Sequence, residues 1–113
     1  MEKHLERIAS LIGEDKVLSL KGKTILVCGL GGVGGTALES LARSGVGHFV
    51  IVDYDIVEPT NLNRQILYTA VDVGKLKTVA AESRIKSIDQ SIIIDCYARK
   101  VDHDLIAEIK SHK

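Results

Sequence analysis

The first chemical signal of this chain is the run Gly29-Leu30-Gly31-Gly32-Val33-Gly34, which fits the spacing G-x-G-x-x-G. Glycines let a backbone turn tightly and approach an anion without a Cβ in the way. Exposed N–H groups and a helix dipole then favour a phosphate at that place. Asp53 stands 19 residues after Gly34. A carboxylate so placed can accept hydrogen bonds from both hydroxyls of a ribose. Loop and acid together point to an adenine nucleotide, and they leave NAD and ATP both open. The stretch after Asp53 decides between them. It reads DYDIVEPTNLNRQ and contains Asp55, Thr60, Asn61, Asn63, Arg64 and Gln65, with Lys77 further on. A dehydrogenase has no need of such a cluster beyond the ribose site, whereas an enzyme handling a triphosphate does. Arg64 offers a planar fork to phosphate oxygens, and Lys77 offers a point charge. Asn61 and Asn63 can bind the ligand or brace the loop.

The elements that position these residues follow from the hydrophobic pattern. Leu5, Ile8, Leu11 and Ile12 recur at helical spacing over Glu2 to Ile12, and Gly13 stops the run. A short second turn is expected from Glu14 to Leu20. Thr24 to Cys28 (TILVC) is apolar on both faces and reads as a buried parallel strand. Gly29 to Gly35 reads as a loop. Thr36 to Ser44 reads as a helix, with Gly45 as its stop. Phe49 to Val52 is a second strand. Residues 54–72 form a connection far longer than the usual four to six or so residues, and long connections are often functional. A helix is expected from Lys75 to Ile88, with Leu76, Val79, Ala80, Ile85 and Ile88 inward. Ser91 to Cys96 is a third strand, and Asp102 to Lys110 a last helix. Strands alternating with helices predict an α/β fold, a Rossmann-like parallel sheet of three strands with flanking helices. The domain reading is one nucleotide-binding unit over 1–113, with a helical segment over 1–20 and the Rossmann-like core over 24–113. The apolar first strand falls on an edge of this sheet. An unpaired apolar edge is an aggregation hazard, so the expectation is a C-terminally shortened chain or a second chain at that edge.

Composition bounds the alternatives. The chain has 113 residues, 45% of them hydrophobic and 27% charged, an ordinary globular balance. Fifteen basic residues offset fifteen acidic ones, so no general pull toward nucleic acid or anionic lipid follows. Cys28 and Cys96 lie in apolar runs without metal-ligand spacing and read as buried, reduced thiols. No metal ligands are assigned. The N-terminus lacks the apolar run of a signal peptide, and no stretch nears the roughly 18 apolar residues of a membrane span. A cytoplasmic protein without a membrane partner is the expectation.

Four segments carry a family resemblance: GLGGVGG, LARSGVG, VDYDIVEPTNLNRQ and VGKLKTVAAE. From about Leu5 to Asp89 the chain resembles the adenylation domain of ubiquitin-activating enzymes and their bacterial relatives MoeB, ThiF, HesA and TcdA. The opening LERIASLIG is most similar to the TcdA branch, the tRNA threonylcarbamoyladenosine dehydratases. The resemblance implies that Gly29, Gly31, Gly32 and Gly34 lie along the phosphates and that Asp53 holds the ribose. It implies that Thr60 to Arg64 line the nucleotide and that Lys77 contacts the phosphates. Asp55 and Gln65 are counted with this cofactor-binding set. Arg64, Lys77 and Arg7 are the candidate catalytic residues. Arg7 matches an arginine that in the family reaches the γ-phosphate of a neighbouring subunit, although it fits the polar face of a helix equally well. The implied cofactors are ATP and Mg2+, with the magnesium-binding aspartate expected beyond Lys113. The implied partners are a ubiquitin-like sulfur-carrier protein or tRNA, in a homodimer. The implied chemistry is adenylation of a carboxylate with release of pyrophosphate, in which the protein places the nucleophile in line and neutralises phosphate charge. This chain by itself is expected to bind nucleotide without completing the reaction. The alternatives are an NAD-dependent oxidoreductase domain and a non-catalytic, truncated dimeric nucleotide-binding protein.

Overall fold

The structure, a computed structural model, describes residues 14–63 and 67–111. The expected first helix, with Arg7, lies outside the described residues, as do Arg64 and Gln65. Helix α1 spans Glu14–Lys21 and strand β1 spans Thr24–Cys28. Helix α2 (Gly32–Ser44) and strand β2 (His48–Val52) follow. The long connection carries two short 3-10 turns, Pro59–Asn63 and Ala70–Asp72. Helix α3 (Lys77–Ile88), strand β3 (Ile93–Tyr97) and helix α4 (His103–Ser111) complete the order. The three strands are parallel in the order β1-β2-β3. This is the Rossmann-like α/β architecture that the pattern predicts.

Both faces of the central strand are buried, as its unbroken apolar run requires. Phe49 and Ile51 point to one face, where Leu38 and Ala42 of α2 and Ala80, Ala81 and Ile85 of α3 cover them. Val50 and Val52 point to the other, where Leu105 and Ile109 of α4 cover them. Strand β1 is an edge among the described residues, and its Ile25 and Leu26 are half-buried.

Several element boundaries differ from expectation for local reasons. Helix α2 starts at Gly32 rather than Thr36, because the Gly35 N–H already donates to the Gly31 carbonyl at 2.7 Å. Gly45 ends the helix as expected, with φ at 109°. Helix α3 starts at Lys77 rather than Lys75, because the preceding residues pair with the chain after β2. Val57 N donates to Lys75 O at 2.8 Å, Gly74 N to Val57 O at 2.9 Å and Lys77 N to Asp55 O at 2.9 Å. The shifted start turns Leu76 and Val79 outward, 39% and 48% exposed, and the small residues Thr78 and Ala81 take the inner positions. Strand β3 starts late because Asp89 draws Ser91 into a turn, accepting from its N–H at 2.9 Å and its hydroxyl at 2.6 Å.

The reading of both cysteines as buried is corrected: Cys28 and Cys96 are exposed. Each stands on an outer strand, where the helices cover the sheet incompletely. Cys28 is the last residue of β1. The Cys96 sulfur lies 3.7 Å from the Thr78 carbonyl. Local burial of the sulfur, aided by the nearby charges of Glu82 and Asp95, pushes this thiol up to about 11.

Candidate nucleotide-binding site

At the carboxyl ends of the strands, the chain leaves β1 and turns at Gly29, whose φ is +90°, a value side chains rarely adopt. Gly29 N donates to Val52 O at 2.8 Å, which keeps the turn against the tip of β2. Helix α2 then opens with Gly31 at its N-cap, and no side chain caps it. The first N–H groups of a helix have no partner within the helix, so they are available to an anion here. Gly34 is needed for a different reason. A Cβ on it would stand 1.9 Å from the Gly29 carbonyl oxygen. The motif thus uses one glycine for the turn and another to let the helix close on the loop.

The peptide of Leu30 is held from both sides. Its N–H donates to Asp53 Oδ2 at 2.7 Å, and its carbonyl accepts from the Tyr68 hydroxyl at 2.6 Å. Its side chain is fully buried. The other Asp53 oxygen accepts from Asp55 N at 2.8 Å. Asp53, itself buried, therefore ties the glycine loop to the tip of β2. An ionised carboxylate has about four acceptor sites, so these two bonds leave capacity for a ligand.

Sequence reading missed Tyr68. The available signal was a tyrosine inside a long polar connection in a chain with only three tyrosines. Burial first, then the charges of Asp53 and Asp72, push its hydroxyl well above the ordinary value of 10.0. A raised pKa in the fold stabilises the neutral form. The associated stability is complete below the unfolded value near 10 and is lost as pH rises from there toward the folded value. Tyr68→Phe should cost about 1 kcal/mol at neutral pH and should flatten the loss of stability above pH 10. Urea titrations at several pH values check both effects.

Lys77 opens α3 and is buried, at 7% exposure. Its ammonium lies 6.0 Å from the centroid of the Tyr68 ring. Among the described residues no carboxylate lies within ion-pair distance of it. Its own N–H donates to Asp55 O, which links it to the Asp53 tip. The structure therefore brings the glycine loop, Asp53, Asp55 and Lys77 into one connected region. Asn61 is buried, and its Oδ1 accepts from Glu58 N at 2.7 Å, so of the two roles open to it the structure shows the loop brace. Thr60 is exposed on the same turn. Of Asn63, only the backbone is described.

A cavity of about 330 Å³ opens at these strand tips. Cys28, Gly29, Asp53 and Tyr54 line it, together with Arg99 and Val101 from the segment after β3. Sequence reading also missed these last two, since nothing in the spacing marks where the chain after a third strand returns.

A glycine loop feeding a helix, an acid at the next strand tip and a cavity across both define a Rossmann-type nucleotide-binding domain. Residues 4–112 match the ThiF family, and the chain belongs to that family. It is 33% identical over 106 residues to a sulfur carrier protein adenylyltransferase of Thermus thermophilus, covering 94% of this chain and 39% of that protein. It is 45% identical over 78 residues to a tRNA threonylcarbamoyladenosine dehydratase of Bacillus subtilis, covering 69% of this chain and 31% of that protein. Among solved structures, the E. coli dehydratase TcdA in complex with ATP superposes with a TM-score of 0.91 at 33% identity. That match covers 98% of this chain and 46% of TcdA. The chain thus spans less than half the length of these relatives.

Proposed function

We propose that this chain is the ATP-binding part of an enzyme that activates a carboxylate as its adenylate. The observation that carries the reading is the buried Lys77 ammonium with no acid beside it among the described residues. A buried charge without a counter-charge is costly. An anion bound at the neighbouring glycine loop would offset that cost, and the unfilled N–H groups of α2 serve the same anion. The similarity to TcdA in complex with ATP supports a nucleoside triphosphate as that anion.

In the proposed reaction a carboxylate oxygen attacks the α-phosphorus. The new acyl O–P bond forms as the bond from the α-phosphorus to the bridging oxygen breaks, and pyrophosphate leaves with both electrons of that bond. The first turn of α2 and Lys77 would hold the phosphates, with Arg64 and Asn63 as further phosphate ligands. Asp53 would hold the ribose. The segment with Asp55, Thr60, Asn61 and Gln65 would form the surrounding wall. Arg7 would act from a neighbouring subunit of a homodimer. The acceptor would be a sulfur-carrier protein or a modified tRNA, the substrates named for the relatives, in the cytoplasm. No helix among the described residues is long and apolar enough to cross a membrane. Among the described residues there is no group of three His, Cys, Asp or Glu side chains that could hold a metal, so these residues do not by themselves fit a magnesium ion. The oxidoreductase reading gains no support from the relatives above.

Exchange of labelled pyrophosphate into ATP tests the reaction, with the intact protein and either a carrier protein or tRNA. Exchange that depends on one acceptor is expected. Absence of exchange with both, from protein that binds ATP, would remove the adenylation step. A second expected result concerns Arg64→Ala, which should weaken ATP binding about tenfold or more, in line with a charge-assisted hydrogen bond. AMP binding should change little. Equal losses by calorimetry would show that Arg64 does not hold the outer phosphates.

A further inference from the structure

The order of the strand tips orders the parts of a nucleotide. The phosphate position lies after β1, at the start of α2. The sugar position lies after β2, at Asp53. A base attached to that sugar, directed away from the phosphates, meets the next tip, that of β3. The residues there are Arg99 and Val101, which share the cavity with Gly29 and Asp53. At about 330 Å³ the cavity has the size of a small-molecule site.

Arg99 is not a free surface cation. Its Nη2 lies 3.6 Å from Asp102 Oδ1 and its Nη1 lies 3.7 Å from Glu108 Oε2. Asp102 is itself fixed, because its Oδ1 accepts from Leu105 N at the start of α4 at 2.7 Å. Two carboxylates, Asp102 just before α4 and Glu108 on it, thus hold the guanidinium at the cavity rim. They also offset its charge, which makes it a weak phosphate ligand and leaves its flat face as the useful surface. A guanidinium plane stacks on a nucleobase.

We propose that Arg99 is the base-contacting residue of this site, its guanidinium plane lying against the purine. The proposal rests on the nucleotide reading above. Calorimetry on the full chain tests it, with ATP as titrant and adenosine as competitor, for wild type, Arg99→Ala and Arg99→Lys. Loss of one exposed stacking cation corresponds to about a fivefold to tenfold weakening. Both variants should show it, and by the same factor for ATP and adenosine, because both ligands carry the base. Arg99→Lys keeps the charge and loses the plane, so full affinity in that variant would overturn the stacking. A loss for ATP with none for adenosine would make Arg99 a phosphate contact and overturn it too. Unchanged binding in both variants would leave only a surface ion pair. Wild-type protein that binds neither ligand would overturn the nucleotide reading itself, an outcome distinct from the other three.

Discussion

Lys77→Met is expected to weaken ATP binding about a hundredfold while leaving the apo protein as stable as wild type or more so. The two effects have opposite origins. In the bound state the ammonium meets phosphate in a buried setting, where a charge-assisted bond is strong. In the free state the same side chain is buried near the Tyr68 ring without an acid partner among the described residues. Methionine keeps most of the stem and removes the charge, and replacing a buried charge by an apolar group of similar volume is often neutral or stabilising. Adenosine, which has no phosphate, should bind both proteins equally. ATP and adenosine titrations with thermal unfolding of the apo protein check the three statements. A variant that melts lower and binds ATP normally would show that Lys77 is structural.

Gly34→Ala should cost about 3 kcal/mol or more, a large share of the stability of a domain this size. Helix propensity alone would favour alanine in a helix by roughly 1 kcal/mol. The added Cβ would, however, stand 1.9 Å from the Gly29 carbonyl oxygen, which is backbone and cannot rotate away. The loop or the helix must shift, and both are tied to the core through Leu30 and Leu38. Gly31→Ala is the control. A Cβ there meets nothing within 4 Å, so its stability should stay within about 1 kcal/mol of wild type. Urea unfolding of the pair decides the matter, and equal stability of both variants would contradict the close approach at Gly34.

The sheet was legible in the sequence because its first two strands are unbroken apolar runs, the central one buried on both faces. The runs at Thr24 and Phe49 have no alternation to misread. The glycine loop and Asp53 were legible because their spacing is set by one strand-turn-helix unit and the next strand. Other features were not legible, and each depends on contacts distant in sequence. The late start of α3 is set by backbone pairing between residues 55–57 and 74–77. That pairing also turned Leu76 and Val79 outward, against their apolar character. The two thiols were misjudged because an apolar run says nothing about how completely helices cover an outer strand. Tyr68 and Arg99 reach the site from segments whose return path no local pattern encodes. The resemblance supplied roles for Arg64 and Arg7, and those roles stand as proposals.

The Leu30 peptide, gripped by Asp53 at its N–H and by Tyr68 at its carbonyl, has a thermodynamic consequence. The loop is held in one shape by these two bonds before any ligand arrives. Binding therefore does not have to freeze it, and ordering a flexible loop would otherwise cost about 1–2 kcal/mol per residue. Such preorganisation shows itself in the heat-capacity change of binding. That change should match the small surface covered by the nucleotide, without the larger negative value of a loop that folds around its ligand.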